Sequence, residues 1–350
     1  MESFGENKKF ILDGIYFEIL SDCNLRCKHC YNSSGEKYNK LDTEIIKKII
    51  KETKDSSLRK ITISGGEPLL HPEIWSILDE FCENKDLIIR IITNGTLINE
   101  DVIEKLKRYK IELQISLNGS KSEIDDLIRG ENSFKNTIKG LNLLNKANQM
   151  DKVIVNFVLN KYNYMDIDET IRLLDSKGVK RINFNFLISS GRGKDNYSKL
   201  ALDSKSLYNI LYKLNEIKEN KPNIKFKIPK LSSGCSLILK KENIPLMIRV
   251  DSEGNVFPCQ IFESKKSLSI GNVYNDNVID IINSTKINKL IDFMEYAYKY
   301  NYNCSKCIWK VICNKGCPAK LLSNGILDGD DGLCNMRKLR FRDNLVKDQF

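Results

Sequence analysis

The sequence lacks any hydrophobic run long enough to cross a membrane, since none approaches the ~18 consecutive apolar residues of a transmembrane helix. The opening segment MESFGENKKFILDG also lacks the apolar stretch of a signal peptide. No low-complexity tract and no internal repeat interrupts the chain. We therefore expect a cytoplasmic globular protein, and 350 residues are enough for one large domain and a smaller one.

The sequence also lacks the charge pattern of a nucleic-acid-binding protein. Its 56 Lys and Arg exceed its 46 Asp and Glu, which gives a formal net charge of +10. Lysine is spread along the whole chain, whereas a nucleic-acid binder interleaves basic and aromatic residues on one face. We therefore expect neither nucleic acid nor a membrane as a partner.

Cysteine, in contrast, is abundant and unevenly distributed. Three of the eleven cysteines lie within residues 23–30, Cys82 stands alone, and seven lie between Cys235 and Cys334. Disulfides seldom persist in the cytoplasm, so clusters of this kind indicate metal ligation. We expect Cys82, in an amphipathic segment with no cysteine nearby, to be a small buried apolar residue.

A short β-branched run followed by an amphipathic segment recurs from residue 15 to about 186. This alternation predicts a parallel sheet with right-handed crossovers, here a partial (β/α)6 TIM-type barrel of the α/β class. In such barrels the chemistry lies at the carboxyl ends of the strands. The pattern changes after Gly193, and we predict a barrel domain over 1–220 and a small loop-rich domain over 221–350. The predicted strands are 15–20, 61–64, 87–93, 111–117, 153–159 and 181–187, and the predicted helices are 42–54, 71–83, 99–109, 133–147, 164–178 and about 202–218.

The segment CNLRCKHC places Cys23, Cys27 and Cys30 at C-x3-C-x2-C spacing, three residues after the first predicted strand. Three thiolates can hold a [4Fe–4S] cluster and leave one iron free to chelate a small molecule. The alternative is a zinc site closed by His29, but His29 lies between two of the ligands, where reaching the same ion is awkward.

The triad after the first strand of a βα barrel resembles that of the radical S-adenosylmethionine (SAM) superfamily. The resemblance implies that the amino and carboxylate groups of SAM complete the cluster. One electron from the cluster then cleaves SAM to a 5′-deoxyadenosyl radical, which abstracts hydrogen from a substrate. The chain is therefore expected to be a radical SAM oxidoreductase.

The segments SGGEP (64–68), TNGT (93–96) and SLNG (116–119) are similar to the SAM-binding motifs of this family. Two glycines let backbone approach a ligand, and Glu67 can accept a hydrogen bond from an ammonium group. Arg129 resembles the family arginine that pairs with the SAM carboxylate. The resemblance implies SAM contacts from His29, Gly65, Gly66, Glu67, Thr93, Asn94, Ser116, Arg129 and Leu187.

The seven C-terminal cysteines follow the order of the SPASM domain, which holds two auxiliary clusters in many peptide-modifying members of the family. GNVFPC (254–259) is G-x4-C, and CSKCIWKVICNKGC (304–317) is C-x2-C-x5-C-x3-C. With the triad, three [4Fe–4S] clusters are expected. The resemblance assigns Cys235, Cys259 and Cys317 to the first auxiliary cluster, and Cys304, Cys307, Cys313 and Cys334 to the second.

Two positions depart from family patterns. No cysteine closely follows Cys235, so the first auxiliary cluster has either an open iron or a non-cysteine ligand such as Asp251 or Glu253. An open iron would suit a substrate thiolate. Gln260 stands where sulfatase-maturing members carry an aspartate base, which disfavours that activity.

The resemblance implies action on a ribosomally made peptide or protein side chain, by thioether or other cross-link formation or by oxidation. The alternatives are haem or other small-molecule biosynthesis, a non-catalytic multi-cluster electron-transfer protein, and a zinc-dependent nucleic-acid binder. Only some fourteen residues precede the barrel, so we expect leader binding by a separate protein or by the barrel's open edge strand, or no leader binding at all. A flavodoxin- or ferredoxin-like reductant is the expected electron donor.

Overall fold

Ten strands form a single sheet in the order β10-β9-β8-β1-β2-β3-β4-β5-β6-β7 in the computed structural model of the chain. The structure describes residues 10–229, 235–239, 242–313, 316–324 and 329–347. Strands β1 to β8 pair in parallel, and only β9 and β10 are antiparallel to their neighbours. The strands are β1 (Phe10–Leu20), β2 (Lys60–Gly65), β3 (Ile88–Thr93), β4 (Glu112–Ser116), β5 (Val153–Leu159), β6 (Arg181–Phe186), β7 (Lys225–Lys227), β8 (Ile244–Val250), β9 (Asn255–Phe257) and β10 (Gly271–Asn272).

Helices alternate with the first six strands, as the apolar periodicity predicts. The predicted partial (β/α)6 barrel is confirmed, and the predicted helices are present with shifts of a few residues at their ends. The α-helices are α1 (Thr43–Glu52), α2 (Ile74–Cys82), α3 (Glu100–Leu106), α4 (Ser122–Arg129), α5 (Ser133–Lys146), α6 (Ile167–Ser176), α7 (Arg192–Asp195), α8 (Tyr197–Leu200), α9 (Ser204–Asn220), α10 (Ser236–Leu239), α11 (Val278–Ile282), α12 (Thr285–Tyr300), α13 (Tyr302–Ser305), α14 (Pro318–Asn324) and α15 (Cys334–Lys347). Within the described ranges, no helix combines the length and the apolarity that crossing a bilayer requires.

The two faces of the sheet differ in polarity. On β1, Phe17 is fully buried and stacks on Phe81 of α2, with ring centroids 5.6 Å apart. Because successive side chains alternate between faces, Tyr16 and Glu18 point to the opposite side, into the lumen of the partial barrel. The helix-facing side therefore forms the apolar core, and the lumen is free to carry polar groups.

Primary amides line part of this lumen. Nε2 of Gln114 donates to Oδ1 of Asn156 at 3.2 Å, and Nδ2 of Asn185 donates to the same oxygen at 2.6 Å. Nδ2 of Asn183 donates to Oε1 of Gln114 at 3.4 Å. These residues come from β4, β5 and β6, so the amides form a continuous polar wall across three adjacent strands.

Strand β8 lies outside the six predicted strands and pairs in parallel with β1 from Phe10↔Ile244 to Phe17↔Val250. The segment after residue 220 thus adds strands to both sides of the barrel sheet, since β7 also pairs with β6. The division of the chain at residue 220 stays a prediction.

Candidate active site at the carboxyl ends of the strands

The cysteine triad lies in the loop after β1, as predicted. Cys23, Cys27 and Cys30 are all free and half-buried, and Leu25 between them is buried. Burial raises the pKa of the Cys27 thiol to about 12, and nearby Cys30 and Cys23 add to the shift while Arg129 opposes it. The three thiols are therefore close enough for their charges to interact.

This donor set fits an iron–sulfur cluster. Three thiolates gathered in a partly buried loop repel one another and need a positively charged partner, which cluster irons supply. The triad thiols are therefore a suitable ligand set for three of the four irons of such a cluster.

Gly65 and Gly66 allow the end of β2 to lie directly against the chain that leads into the triad. Gly65 has φ +118°, and a Cβ there would lie 2.3 Å from the carbonyl oxygen of Leu20. A Cβ on Gly66 would lie 1.7 Å from the carbonyl oxygen of Asp22. The close approach visible in the structure is thus backbone to backbone, and it fixes the start of the cysteine loop.

Glu67 connects this turn to the end of β3. It is fully buried, and its Oε1 accepts from the Thr93 hydroxyl at 2.7 Å and from the Leu69 amide at 3.1 Å. Its Oε2 accepts from the Asn94 amide at 2.7 Å. Burial raises the pKa of Glu67, and these hydrogen bonds oppose the rise. One hydrogen-bonded unit therefore contains Glu67, Thr93 and Asn94, which two separate sequence motifs had predicted as SAM contacts.

Asn94 joins that unit to the triad. Its Nδ2 donates to Oδ1 of Asn24 at 2.8 Å and lies 3.9 Å from Sγ of Cys23. Its carbonyl oxygen accepts from Nη2 of Arg129 at 2.5 Å. The loops after β1 and β3 and the end of α4 therefore meet at Asn94.

Arg129 is fully buried at the end of α4. Its Nη1 lies 3.2 Å from Oδ2 of Asp125, a residue that the sequence motifs did not single out, and 3.2 Å from the Thr137 hydroxyl. Its carbonyl oxygen accepts from the Cys27 thiol at 3.5 Å, while its Nε has no hydrogen-bond partner. Arg129 thus braces the cysteine loop and keeps one N–H available.

The other predicted SAM contacts lie around this unit. The imidazole of His29 has a buried Nδ1 without a hydrogen-bond partner, and burial lowers its pKa to about 4, with Arg129 and Arg192 adding to the shift. Ser116 ends β4 and is half-buried, and Leu187 follows β6 and is 8% exposed. Imidazole, hydroxyl and apolar groups are therefore present at the same strand ends as the triad.

The three cysteines assigned to the first auxiliary cluster lie together. Burial raises the pKa of Cys259 to about 12, and Cys317 and Cys235 add to the rise. The two proposed carboxylate ligands have other partners. Asp251 accepts from the amides of Glu253 and Asn255 at 3.0 and 2.9 Å, and Oε1 of Glu253 accepts from Nδ2 of Asn39 at 2.9 Å.

The cysteines assigned to the second auxiliary cluster come from one turn and one helix start. The Cys307 amide donates to the Cys304 carbonyl oxygen at 3.2 Å, and Cys334 begins α15. Burial raises the pKa of the Cys334 thiol, and Cys313 is one of the charges that add to the rise. Cys82 belongs to neither group; it packs against the core from α2, as its predicted apolar role requires, but it is half-buried rather than buried.

The sequence motifs missed a buried polar chain beside the triad. The Tyr31 hydroxyl, one residue after Cys30, donates to Oε1 of Glu18 at 2.6 Å. Nη1 of Arg249 on β8 lies 3.6 Å from the same oxygen, and its guanidinium stacks 4.3 Å from the ring centre of Phe257. The available sequence signal was a single charged residue in each of two apolar runs, Glu18 in IYFEIL and Arg249 in MIRV.

Two family models match the chain. The Radical SAM superfamily model matches residues 17–174, and the SPASM iron–sulfur cluster-binding domain model matches residues 246–308. The first range contains the triad, Glu67 and Arg129, and the second contains Cys259, Cys304 and Cys307.

Curated relatives and solved structures agree with these models. The antilisterial bacteriocin subtilosin biosynthesis protein AlbA of Bacillus subtilis (strain 168) is 31% identical over 88% of this chain and 67% of its own length. The AdoMet-dependent heme synthase of Methanosarcina barkeri is 27% identical over 87% of this chain and 91% of its own. The structure of native anSMEcpe with bound AdoMet and Cp18Cys peptide has the same fold, with a TM-score of 0.73 at 22% identity and coverage of 96% and 97%.

The site and the matches identify the same chemistry. The triad and the loops after β2 and β3 fall within the range of the radical SAM model, and three of the C-terminal cysteines, Cys259, Cys304 and Cys307, fall within the range of the iron–sulfur cluster-binding model. The predicted enzyme class, fold class and cofactors are thereby confirmed. The chain belongs to the radical SAM superfamily and carries a SPASM domain.

Proposed function

We propose that this enzyme modifies a side chain of a ribosomally made peptide or protein, by thioether or other cross-link formation or by oxidation. A relative at 31% identity takes part in the biosynthesis of a bacteriocin, and a structure of the same fold contains a bound peptide. The observation that supports the proposal most directly is the convergence of Cys23, Cys27 and Cys30 with Glu67, Asn94 and Arg129.

In this proposal the thiolates of Cys23, Cys27 and Cys30 would hold a [4Fe–4S] cluster with one open iron, and SAM would complete its coordination. Among the described residues, Nε of Arg129 and Nδ1 of His29 are two buried polar atoms of the site without a hydrogen-bond partner. Cluster and SAM together supply the hydrogen-abstracting chemistry. We propose SAM contacts from the predicted set, His29, Gly65, Gly66, Glu67, Thr93, Asn94, Ser116, Arg129 and Leu187.

The lumen wall suits a peptide substrate. Primary amides both donate and accept hydrogen bonds, as main-chain peptide groups do. Gln114, Asn156 and Asn185 present such groups across three strands, and Asn156 pairs in register with Ser116 at the strand ends. A peptide held against this wall would place a side chain close to the triad.

We propose that the C-terminal cysteines hold two auxiliary clusters in the predicted sets. Because Asp251 and Glu253 have other hydrogen-bond partners, we favour an open iron in the first auxiliary cluster, able to bind a substrate thiolate. The partners proposed are a flavodoxin- or ferredoxin-like reductant and a separate leader-binding protein. A reducing, cytoplasmic location is proposed because the described cysteines are all free.

Haem or other small-molecule biosynthesis is the second candidate, because a relative at 27% identity is named as a heme synthase. The two candidates differ in the ligand they require. Precursor peptides encoded beside the gene should stimulate SAM cleavage if the first holds, and an iron porphyrin bearing propionates should do so if the second holds.

The test begins with iron, sulfide and zinc per chain after anaerobic reconstitution. We expect about twelve irons, matching sulfide and no zinc, and reductive cleavage of SAM to methionine and 5′-deoxyadenosine. Replacing all three triad cysteines by alanine should remove about four irons and abolish cleavage. Replacing Cys304 and Cys307 by alanine is the matched control, which should also lose about four irons but keep cleavage without substrate. Zinc in place of iron at the triad would overturn the proposal.

A further inference from the structure

Three aliphatic side chains are exposed on the turn that carries cysteines of the second auxiliary set. Ile308 is 85% exposed, Val311 84% and Ile312 52%. Single exposed apolar residues are ordinary, but three within five residues form a patch of the kind that marks an interaction surface. We call residues 306–312 the docking turn.

The docking turn is held in place by its own contacts. The Trp309 ring packs on Phe341 of α15, with centroids 5.7 Å apart. The Lys310 amide donates to the Cys307 carbonyl at 3.2 Å, and the Cys313 amide donates to the Trp309 carbonyl at 2.9 Å. The turn therefore uses its largest side chain as an anchor and leaves the three aliphatic side chains facing solvent.

Basic residues surround the aliphatic patch. Lys306 lies 4.0 Å over the ring of Tyr302, and Lys310 is exposed on the turn itself. The charged residues that line a shallow groove beside Trp309 are Lys205, Lys338 and Arg342 and one carboxylate, Asp203. Between residues 296 and 327 the sequence has five lysines and no Asp or Glu. Among the described charged side chains beside the patch, basic residues therefore outnumber acidic ones.

We propose that the docking turn is the binding surface for an acidic electron-carrier protein that reduces the second auxiliary cluster. The inference rests on the proposed assignment of that cluster to Cys304, Cys307, Cys313 and Cys334. Ile308 directly follows Cys307, and Ile312 directly precedes Cys313, so a carrier seated on the patch lies against the outer side of the cluster ligands. In the step itself one electron leaves the reduced carrier and enters the cluster, and no bond is formed or broken in this chain.

The size and chemistry of the patch suit this occupant. Electron-transfer complexes are small and transient, commonly below about 1,200 Å² of buried surface. Complementary charge around a small apolar centre speeds encounter without slowing release. A precursor peptide or a second copy of this chain would be the other occupants, and the experiments separate them from the carrier.

The first experiment uses the unmodified, iron-loaded enzyme and an acidic flavodoxin in its hydroquinone form as the probe. Stopped-flow absorbance follows flavin oxidation as the ionic strength is raised from about 0.01 M to about 0.15 M. We expect the second-order rate to fall steeply with salt, because opposite charges steer the encounter. A rate that does not change with salt would overturn the proposal.

The second experiment replaces single aliphatic residues of the docking turn by aspartate. Ile308→Asp and Val311→Asp should each slow reduction by flavodoxin by about tenfold or more, because a carboxylate would be desolvated in the contact. Reduction by dithionite, which needs no docking surface, should be unchanged. Ile88→Asp is the matched control, since Ile88 is 53% exposed at the amino end of β3, away from the clusters.

The outcomes also separate this proposal from the proposed function. Full iron and sulfide content with unchanged flavodoxin rates in both variants would overturn the docking surface alone. Absence of iron at the C-terminal cysteines of the unmodified enzyme would overturn the cluster assignment, and the docking surface with it. Loss of peptide binding or of self-association in the variants, with flavodoxin rates unchanged, would assign the patch to another occupant.

Discussion

The Tyr31 hydroxyl donates a 2.6 Å hydrogen bond to Oε1 of Glu18, and the same carboxylate faces the buried guanidinium of Arg249 at 3.6 Å. Tyr31 follows the last triad cysteine, Glu18 is on β1, and Arg249 is on β8. This contact therefore joins the cysteine loop, the first strand of the barrel and the strand that leads to Cys259.

Glu18→Gln should destabilise the protein strongly, because it leaves Arg249 buried without a counter-charge. We expect a loss of about 3–5 kcal/mol in unfolding free energy, and about 2 kcal/mol for Tyr31→Phe, which removes the hydroxyl that bonds Glu18 and Tyr16 but leaves the charged pair intact. Asp13→Asn is the matched control on the same strand, since its partner Arg59 is exposed and the loss should stay below about 1 kcal/mol. Anaerobic urea unfolding measures all three, and equal losses in Glu18→Gln and Asp13→Asn would contradict the buried pair.

Gly65→Ala should displace the triad loop and remove its cluster. Gly65 and Gly130 have nearly the same φ, +118° and +112°, but a Cβ on Gly130 meets nothing within 4 Å, whereas one on Gly65 meets the Leu20 carbonyl at 2.3 Å. Gly130→Ala therefore measures the backbone strain alone, about 1–2 kcal/mol. Iron per chain should fall by about four in Gly65→Ala and stay unchanged in Gly130→Ala. An equal iron content in the two variants would show that cluster binding does not need the close approach of Gly65 to Leu20.

Glu112 should contribute stability that is lost in acid. Burial raises its pKa, but hydrogen bonds and charges from Arg90 at 2.5 Å and Arg181 at 2.6 Å outweigh burial, so the pKa lies below its ordinary value of 4.5. A lowered pKa stabilises the folded state above pH 4.5, and the stabilisation disappears as the pH falls through the folded pKa.

Glu112→Gln should accordingly lower the melting temperature at neutral pH, and its difference from the unmodified protein should shrink as the pH falls below about 4.5. Glu104→Gln is the control, because Glu104 and its partner Lys107 are exposed. Cluster loss in acid affects both variants alike, so the comparison between them remains informative. A difference in melting temperature between Glu112→Gln and the unmodified protein that widens in acid would contradict the lowered pKa.

Asp331→Asn should weaken iron binding at the C-terminal cysteines while sparing the triad. Asp331 accepts from the Cys317 amide at 3.0 Å and forms a buried ion pair with Arg337, whose charge interacts with Cys313 and Cys334. One carboxylate thus braces ligands from both auxiliary sets. Iron per chain should drop towards about four in Asp331→Asn and remain near twelve in the exposed neighbour control Asp330→Asn. An unchanged iron count in Asp331→Asn would refute the bracing role.

Much of the barrel could be predicted because its signals are local. Alternating β-branched runs and i, i+3, i+4 apolar spacing depend on neighbouring residues, and they predicted the six strands up to β6. The position of the triad after β1 followed from the same pattern, and the cysteine spacing indicated its chemistry.

The remaining features depend on contacts that no short window contains. Strand β8 includes Pro245, which cannot donate a backbone hydrogen bond and therefore argues against a central strand. The strand tolerates Pro245 because β9 pairs with β8 only at Arg249 and Val250. The hydrogen bonds of Glu67 to Thr93 and Asn94, and of Arg129 to the Asn94 carbonyl, are likewise set by the closure of the barrel. The sequence could suggest a ligand for each of these groups, but it could not show that they also bind one another.

The seven registered pairs between β8 and β1 have a consequence for electron flow. Cys259 follows β9, which is hydrogen-bonded to β8, and Cys23 follows β1, so a continuous hydrogen-bonded ladder links the two cysteine regions. Moving one region away from the other would require breaking that ladder. If the two cysteine regions hold the proposed clusters, the sheet fixes the distance between them, and the rate of electron transfer between them should not depend on solvent viscosity.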